Sequence, residues 1–170
     1  MEEYFDVVDE NDKIIGKASR RECHSDNSLI HRGVDVLIFN SKGQLLLQKR
    51  SMKKDLYPGL WTCSATGHND LGESYQKAAE REVKEEIGVK IPLSFCCSYI
   101  LRSKIESENL QVFTGRHDGP FKLDKEEVDE VKFSSVKEVK RMIAEKKHVT
   151  PGLTMAFGEY LKCLKEKEKR

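Results

Sequence analysis

The segment that most constrains the fold is 67–89, GHNDLGESYQKAAEREVKEEIGV, in which glycines bracket a helical pattern. The pattern predicts a helix over 74–87 that ends at Gly88, because glycine readily adopts the left-handed conformation that closes a helix. At ~100° per residue, one face of this helix carries three glutamates: Glu82, Glu85 and Glu86. A neighbouring apolar stripe consists of Ala79, Val83 and Ile87. The segment therefore predicts a helix that buries one stripe and presents carboxylates beside it.

Three clustered carboxylates repel one another, which raises their pKa values and destabilises the helix. A divalent cation removes this conflict, and hard oxygen ligands suit Mg²⁺ or Mn²⁺. The alternative is a solvated helix face, which is common in a chain with 35% charged residues. Gly67, Gly72 and Gly88 favour the metal site, because they permit a tight loop on either side of the helix.

The segment reads G-x5-E-x7-R-E-V-x-E-E-x-G-V, with Glu73 and Arg81 at its other fixed positions. It resembles the Nudix box, the signature of the Nudix hydrolases, at every fixed position. The resemblance implies that three glutamates bind Mg²⁺ or Mn²⁺ and take part in catalysis: Glu82, Glu85 and Glu86. It also implies that Arg81 orients the box by pairing with Glu73. The expected reaction is hydrolysis of a diphosphate linkage in a nucleoside-diphosphate-type or related small substrate.

The rest of the chain fits the fold that this resemblance implies, an α/β (mixed α+β) Nudix-type α/β/α sandwich with a mixed sheet and a loop–helix–loop box. Patterning predicts strands at 3–8, 13–18, 34–39, 44–48, 60–65, 93–101, 110–114 and 128–133. Helices are predicted at 74–87, 136–146 and 153–164, with a short helix or loop at 20–27. Without an internal repeat or a linker, residues 1–170 are expected to form a single domain.

A second resemblance lies around the box, where 49–74, KRSMKKDLYPGLWTCSATGHNDLGES, is similar to type I isopentenyl-diphosphate isomerases. Those enzymes hold a metal with two histidines seven apart, a third beside the first box glycine, and two glutamates in E-x-E. All five have counterparts here: His24, His31, His68, Glu106 and Glu108. The resemblance implies a second site for Zn²⁺, Mn²⁺ or Fe²⁺. His117 and His148 lack this spacing and are expected at the surface.

The same resemblance assigns Arg50 and Lys54 to binding of the diphosphate, although Arg50 could equally be a surface charge. Three departures separate the chain from the isomerases. Thr66 replaces the catalytic cysteine, Gly152 stands at the expected place of a tryptophan, and Glu82 and Glu85 replace non-acidic residues. The departures favour a hydrolase over an isopentenyl-diphosphate delta-isomerase or a non-enzymatic binding module. The general base stays open between three candidates: Glu86, Glu108 and a carboxylate of the 126–127 segment.

Charge and cysteine content limit the partners and the compartment. Thirty Lys+Arg against 29 Asp+Glu give a net charge of +1, which argues against a nucleic-acid partner. No apolar run approaches the ~20 residues of a spanning helix, so no membrane association is expected. Five cysteines without a CxxC motif indicate reduced thiols and a cytoplasmic protein. A small-molecule diphosphate is the expected partner, and a homodimer stays open.

Overall fold

A computed structural model of the chain describes residues 1–146 and 148–169. The strands are β1 Tyr4–Val8, β2 Ile14–Ser19, β3 Ile30–Phe39, β4 Leu45–Arg50, β5 Trp61–Thr62, β6 Ala65–His68, β7 Ser94–Arg102, β8 Ser107–Arg116 and β9 Val128–Ser134. The helices are α1 Arg20–Ser25, α2 Tyr75–Ile87, α3 Val136–Ala144 and α4 Pro151–Glu168. None of these helices is long and apolar enough to cross a membrane.

Strand β3 is the centre of one mixed sheet. It pairs antiparallel with β1, β4 and β6, and parallel with β8 from Ile30↔Ser107 to Phe39↔Arg116. Strand β7 extends the sheet beyond β8, whereas β5 and β9 both pair with β4. This arrangement confirms the predicted mixed α/β fold.

Strand β3 is apolar on both faces because helices cover both sides of the sheet. Val34, Val36 and Ile38 pack with helix α2 in one core. Leu37 and Phe39 pack with α3 and α4 in the other core. The near-continuous apolar run from 34 to 39 is typical of a strand that is buried on both faces. The three layers confirm the α/β/α sandwich that the sequence predicted.

Helix α2 ends where the sequence predicted and begins one residue later, at Tyr75, with Ser74 as its N-cap. The Ser74 side chain accepts a hydrogen bond from the backbone N–H of Lys77 at the N-terminus. Gly88 closes the helix with φ of 72°, in the left-handed region. A Cβ at Gly88 would also lie 2.6 Å from the Lys122 carbonyl oxygen. The backbone conformation and this close contact therefore both require glycine.

The boundaries of several other elements differ from the predicted ones. Strand β3 begins at Ile30, before the predicted residue 34, because its first residues pair with β1 and β8. Strand β6 extends to His68, past the predicted run 60–65, because it pairs with β3 as far as Gly33↔His68. Strand β8 begins at Ser107, before the predicted residue 110, because the parallel ladder with β3 starts there. Helix α4 begins at Pro151 and extends to Glu168, because Thr150 caps its N-terminus and proline suits the first helical position.

Candidate active site

A cavity of about 320 Å³ lies between the N-terminal segment, helix α2 and the start of β8. Most of the predicted site residues line it: Arg50, Lys54, His68, Arg81, Glu82, Glu85, Glu86, Glu106 and Glu108. His24 and His31 are not in its wall, but they contact residues that are. The structure therefore brings both predicted metal clusters to one cavity.

Glu86 is the most deeply placed carboxylate of the box. It is buried, and its Oε2 accepts hydrogen bonds from the Thr66 backbone N–H at 3.0 Å and from Gln48 Nε2 at 2.6 Å. Burial, together with the nearby Glu82, raises the pKa of Glu86 to about 8. Burial likewise raises the pKa of Glu82 to about 7, whereas Glu85 is exposed at the rim. Glu86 is buried and Glu82 partly buried, and a nearby cation would stabilise the ionised form of both carboxylates.

Gly67 permits the box helix to approach the sheet. Its partner in β3 is Val34, and its Cα faces the Glu82 carboxylate. A Cβ at Gly67 would overlap that carboxylate, so any other residue would push Glu82 out of the cavity. The close approach of Glu82, a candidate metal ligand, therefore explains why the box begins with glycine.

Arg81 holds the box together. Its Nε and Nη2 donate to Glu73 Oε1 and Oε2 at 3.0 and 2.8 Å, in a bidentate pair. Nη2 also donates to the His68 carbonyl oxygen at 2.9 Å, and Nη1 donates to Glu82 at 2.7 Å and to Glu85 at 3.2 Å. The predicted pair with Glu73 is present in the structure. Arg81 therefore links the loop, strand β6 and two glutamates of the helix.

The three histidines converge although they come from α1, β3 and β6. Their ring centroids lie 4.9–5.7 Å apart. Glu106 Oε2 lies 3.1 Å from His24 Nε2 and 3.9 Å from His68 Nε2. Glu108 Oε1 lies 3.3 Å from His68 Nε2 and 3.8 Å from His31 Nε2. Two ligands at ~2.1 Å from one ion stand roughly 3 Å apart across a right angle, so these spacings fit a shared metal.

Unpartnered polar atoms support the same conclusion. Among the described residues, four buried atoms of this cluster make no hydrogen bond of good geometry: His24 Nε2, His31 Nδ1, His31 Nε2 and Glu106 Oε2. One ligand atom each from His24, His31, His68 and Glu106 lies within 4.8 Å of the others. Buried polar groups are normally paired, so this group fits a metal ion.

Burial prepares these imidazoles for ligation. It lowers the pKa of His24 and of His68 to about 4, and that of His31 to about 2. Metals bind the neutral imidazole, and these histidines are already neutral at neutral pH. Burial raises the pKa of Glu106 and of Glu108 to about 7. Phe5 packs on the cluster, with its ring centroid 5.2 Å from that of His31.

The two predicted substrate cations, Arg50 and Lys54, line the same cavity. Arg50 Nε donates to the Leu56 carbonyl oxygen at 3.0 Å. Lys54 Nζ pairs with Glu127, which also lines the cavity. Glu126 instead pairs with Lys53 on the surface, so only Glu127 of the 126–127 segment reaches the cavity.

Sequence reasoning missed Asp35, a buried carboxylate in the cavity wall. The Tyr99 hydroxyl donates to its Oδ2 at 2.6 Å. One feature of the sequence could have pointed to Asp35, because it is the single charged residue in the otherwise apolar run 34–39. His117 is half-buried and packs on Phe121, and His148 is exposed. Neither belongs to the histidine group found among the described residues.

These features define a class of protein: an α/β/α sandwich in which one helix presents carboxylates to a cavity that also holds a metal-competent imidazole group. The family model of the NUDIX domain matches residues 29–153. The chain therefore belongs to the Nudix family.

Its relatives carry two kinds of name. An isopentenyl-diphosphate delta-isomerase 2 of Photorhabdus laumondii is 35% identical over 148 residues, which cover 84% of this chain and 83% of that protein. An uncharacterised Nudix hydrolase of Pseudomonas aeruginosa is 36% identical, over 74% of this chain and 75% of that protein. The crystal structure of DR0079 from Deinococcus radiodurans has a TM-score of 0.81 at 23% identity, covering 91% of this chain and 97% of that one. The last likeness concerns the fold alone, and the first two leave the reaction open.

Proposed function

We propose that the protein is a metal-dependent hydrolase that cleaves a diphosphate linkage in a nucleoside-diphosphate-type or related small substrate. The observation that carries this proposal is the cavity itself. It combines the glutamates of helix α2 with two cations suited to a diphosphate, Arg50 and Lys54. A binding module without catalysis has no need for several mutually repelling carboxylates, one of them buried.

The glutamates fit Mg²⁺ or Mn²⁺, since both prefer carboxylate oxygens and substrate phosphates. Such an ion would neutralise phosphate charge and lower the pKa of an attacking water. In this proposal Glu82, Glu85 and Glu86 hold the metal, and Arg81 keeps the first two in position. The backbone N–H of Thr66 and the Gln48 amide orient Glu86.

The cations and the general base are coupled through Lys54. Arg50 and Lys54 would bind the diphosphate, so Lys54 must leave Glu127 when the substrate enters. Glu127 is then free of its ion pair and borders the cavity, where it can accept a proton from water. Glu86 already accepts two hydrogen bonds, and Glu108 lies among the imidazoles. We therefore assign the general base to Glu127 among the three candidates.

The histidine cluster supports a second metal site in the same cavity. His24, His31, His68, Glu106 and Glu108 would hold Zn²⁺, Mn²⁺ or Fe²⁺, because three imidazoles and two carboxylates suit these ions. Within the proposed hydrolase, this site would bind part of the substrate beyond the diphosphate or fix the shape of the cavity wall.

The alternative function is that of an isopentenyl-diphosphate delta-isomerase, which the histidine cluster and the names of several relatives favour. Three positions speak against it. Thr66 supplies no thiol, and Gly152 supplies no aromatic face for a carbocation. Cys63 is fully buried, and burial holds its pKa well above the ordinary value, so it does not replace the missing thiol.

A product assay tests the proposal. The protein is incubated with Mg²⁺ or Mn²⁺ and with nucleotides, nucleotide sugars, coenzymes or prenyl diphosphates. We expect release of a monophosphate or of inorganic phosphate from at least one of them, and none from Glu86→Gln. Formation of dimethylallyl diphosphate from isopentenyl diphosphate, without phosphate release from any compound, would replace the hydrolase with the isomerase.

We also propose that residues 1–170 form one cytoplasmic domain that acts on a small molecule, without nucleic acid or membrane. The net charge of +1 and the free state of all five cysteines support this. Light scattering during size-exclusion chromatography tests whether the protein forms a homodimer.

A further inference from the structure

Three of the five cysteines lie together where helix α4 packs on strand β7. Cys96 and Cys97 are adjacent in β7, and Cys163 lies in the C-terminal half of α4. The Cys163 thiol donates to the Cys96 carbonyl oxygen at 3.5 Å. The thiols of Cys97 and Cys163 are both within hydrogen-bonding reach of the Cys96 sulfur, and all three are free. We name these three residues the thiol site, and none of them lines the active-site cavity.

A β-bulge in β7 explains why two adjacent cysteines share a face. Successive side chains of a regular strand point to opposite faces of the sheet. The pairing of β7 with β8 skips Cys96, which is an extra residue in the ladder between Phe95 and Cys97. Phe95 contacts Phe113 of the core that contains α2, whereas Cys97 packs in the core that contains α4. The change of face between Phe95 and Cys97 leaves both thiols of β7 on the side of α4.

The surroundings of Cys96 favour its thiolate. Hydrogen bonds from Cys97 and Cys163, aided by the positive charge of Lys167, lower the pKa of the Cys96 thiol to about 6. The same hydrogen bonds raise the pKa of Cys97 and that of Cys163, so these two thiols keep their protons at neutral pH. The thiolate is the nucleophilic form of cysteine. Cys96 is therefore the reactive thiol of the site, with two protonated thiols beside it.

The other two cysteines of the chain differ from this site. Cys23 and Cys63 are fully buried. Burial raises the pKa of Cys23 to about 11 and holds the pKa of Cys63 well above its ordinary value. The three residues of the thiol site are instead half-buried, so a small oxidant can reach them. The chain thus contains two unreactive thiols against which the site can be compared.

We propose that the thiol site is a reversible redox site, in which a peroxide oxidises Cys96 and Cys163 then closes a disulfide between β7 and α4. The Cys96 thiolate attacks one peroxide oxygen and the O–O bond breaks. Cys96 becomes a sulfenic acid, and the other oxygen takes up protons and leaves as water. The Cys163 sulfur then attacks the Cys96 sulfur, the S–O bond breaks, and a second water carries away the Cys163 proton. With H₂O₂, the two thiols lose two electrons and the peroxide is reduced to two waters.

Cys163 suits the second step better than Cys97 does. Adjacent Cα atoms stand about 3.8 Å apart, below the roughly 4.4–6.8 Å that a disulfide usually spans. Cys163 comes from a separate element and already donates to the Cys96 carbonyl oxygen, so it is free of this limit. In a reducing compartment such a disulfide would be transient, as disulfides of redox-sensing proteins are.

The first test measures which thiol reacts. The reduced protein is treated with limiting iodoacetamide at pH 7, and peptide mass spectrometry follows alkylation at each cysteine. We expect Cys96 to react at least about tenfold faster than Cys97 or Cys163, because most of it is thiolate at this pH. Cys23 and Cys63 of the same sample should stay unmodified. Alkylation of Cys97 or Cys163 at the rate of Cys96 would contradict the proposal.

The second test follows oxidation by H₂O₂. The wild type should lose two hydrogen atoms and yield a peptide that links Cys96 to Cys163, and dithiothreitol should reverse both changes. Cys163→Ser should stop at the sulfenic acid, which dimedone traps at Cys96. Cys96→Ser should form neither product. Ser98→Ala, at an exposed position of the same strand, is the matched control and should behave as the wild type.

Three results of the second test would overturn the proposal: a bond between Cys96 and Cys97, disulfides only between protein molecules, or a reduced Cys96 at a peroxide concentration that oxidises free cysteine. If a serine variant does not fold, the peptide map of the wild type decides among these outcomes. Neither test depends on turnover, so the thiol site stands or falls independently of the proposed hydrolase.

Discussion

Two clusters of ionisable side chains meet at the cavity. One comes from a single helix and the other from several separate segments of the chain. The three box glutamates lie within five residues of one another on helix α2. The histidine cluster draws on four segments, namely α1, β3, β6 and the start of β8. Burial raises the pKa of Glu86 to about 8 but lowers the pKa of His68 to about 4. The same loss of water thus neutralises both kinds of group, by adding a proton to one and removing it from the other.

This difference has a consequence for metal binding. Near pH 7 the imidazoles are already neutral, so His24, His31 and His68 need release no proton to become ligands. Glu82 and Glu86 must lose protons before they bind, and so depend on the cation to ionise them. Glu106 and Glu108 of the histidine cluster must also lose protons, because burial raises the pKa of each to about 7, so the two clusters differ only in their imidazoles.

The largest expected effect concerns the glutamates. Glu85→Gln and Glu86→Gln should each lower kcat about a hundredfold or more, because each removes a negative charge from the metal site at nearly constant shape. Glu80→Gln, on the exposed side of the same helix, should leave kcat unchanged. Steady-state turnover with Mg²⁺ measures all three. Full activity in both cavity variants would contradict the metal-ligand assignment.

The next effect concerns the histidines. Protein purified without chelators should contain a transition metal, and His31→Ala should lose most of it, because His31 is fully buried with both ring nitrogens unpartnered. His117→Ala is the control, since it replaces a histidine outside the cluster. Elemental analysis provides the metal-to-protein ratio.

The low pKa values of the cluster also predict the pH at which this metal is released. The wild-type protein should retain it through pH 6, where ordinary imidazoles begin to protonate, and lose it as the pH approaches about 4. Equal metal content in His31→Ala and His117→Ala would show that the cluster is a structural feature only.

A smaller effect concerns the stability of the metal-free protein. Glu86 has a folded-state pKa of about 8, above its ordinary value of 4.5, so the folded state binds more protons between these limits. Stability therefore falls as the pH rises through this window. The histidines act in the opposite direction, because their lowered pKa values make stability fall as the pH drops from about 6.5 to about 4.

Between pH 6.5 and 8 the raised carboxylates outweigh the histidines, whose opposing contribution fades as the pH rises above their ordinary pKa of ~6.5. We expect the Tm of the metal-free wild type to fall across this window. Glu86→Gln should flatten the fall and raise Tm at pH 8 by roughly 2–4 °C, the shift that about 1 kcal/mol produces in a chain of this size. Calorimetry with chelator measures it, with Glu80→Gln as control. A wild-type Tm that is flat or rising from pH 6.5 to 8 would contradict the raised pKa values.

For one substitution, Thr66→Cys, we expect no change in the reaction that the protein catalyses. Thr66→Cys restores the thiol of the isomerases, yet we expect no dimethylallyl diphosphate from isopentenyl diphosphate. Glu82 still places a carboxylate at the cavity, and Gly152 still offers no aromatic face to a carbocation. Product analysis by mass spectrometry or chromatography measures this. Detectable isomerisation would mean that the histidine cluster, and not the glutamates, decides the chemistry of the cavity.

The sequence by itself determined helix α2, its caps and its glutamate face. Side-chain direction on a helix follows from local periodicity, so Glu82, Glu85 and Glu86 share a face wherever the helix lies. The capping serine at 74 and the closing glycine at 88 are equally local signals. The histidine set was found only through resemblance to a known family, because nothing in the spacing of residues 24, 31, 68, 106 and 108 requires them to meet.

Only the tertiary structure decided where these residues lie. His31 meets Glu108 because β3 and β8 pair in parallel with the register His31↔Glu108, although the two residues are far apart in the sequence. Thr66 lies opposite Asp35 because β6 pairs with β3 in the register Asp35↔Thr66. Strand register depends on which faces the whole sheet buries against its helices, and a shift of one residue would turn every side chain to the opposite face. The sequence of a single strand does not contain that information, so the imidazole cluster and the pairing of Asp35 with Thr66 belong to the fold as a whole.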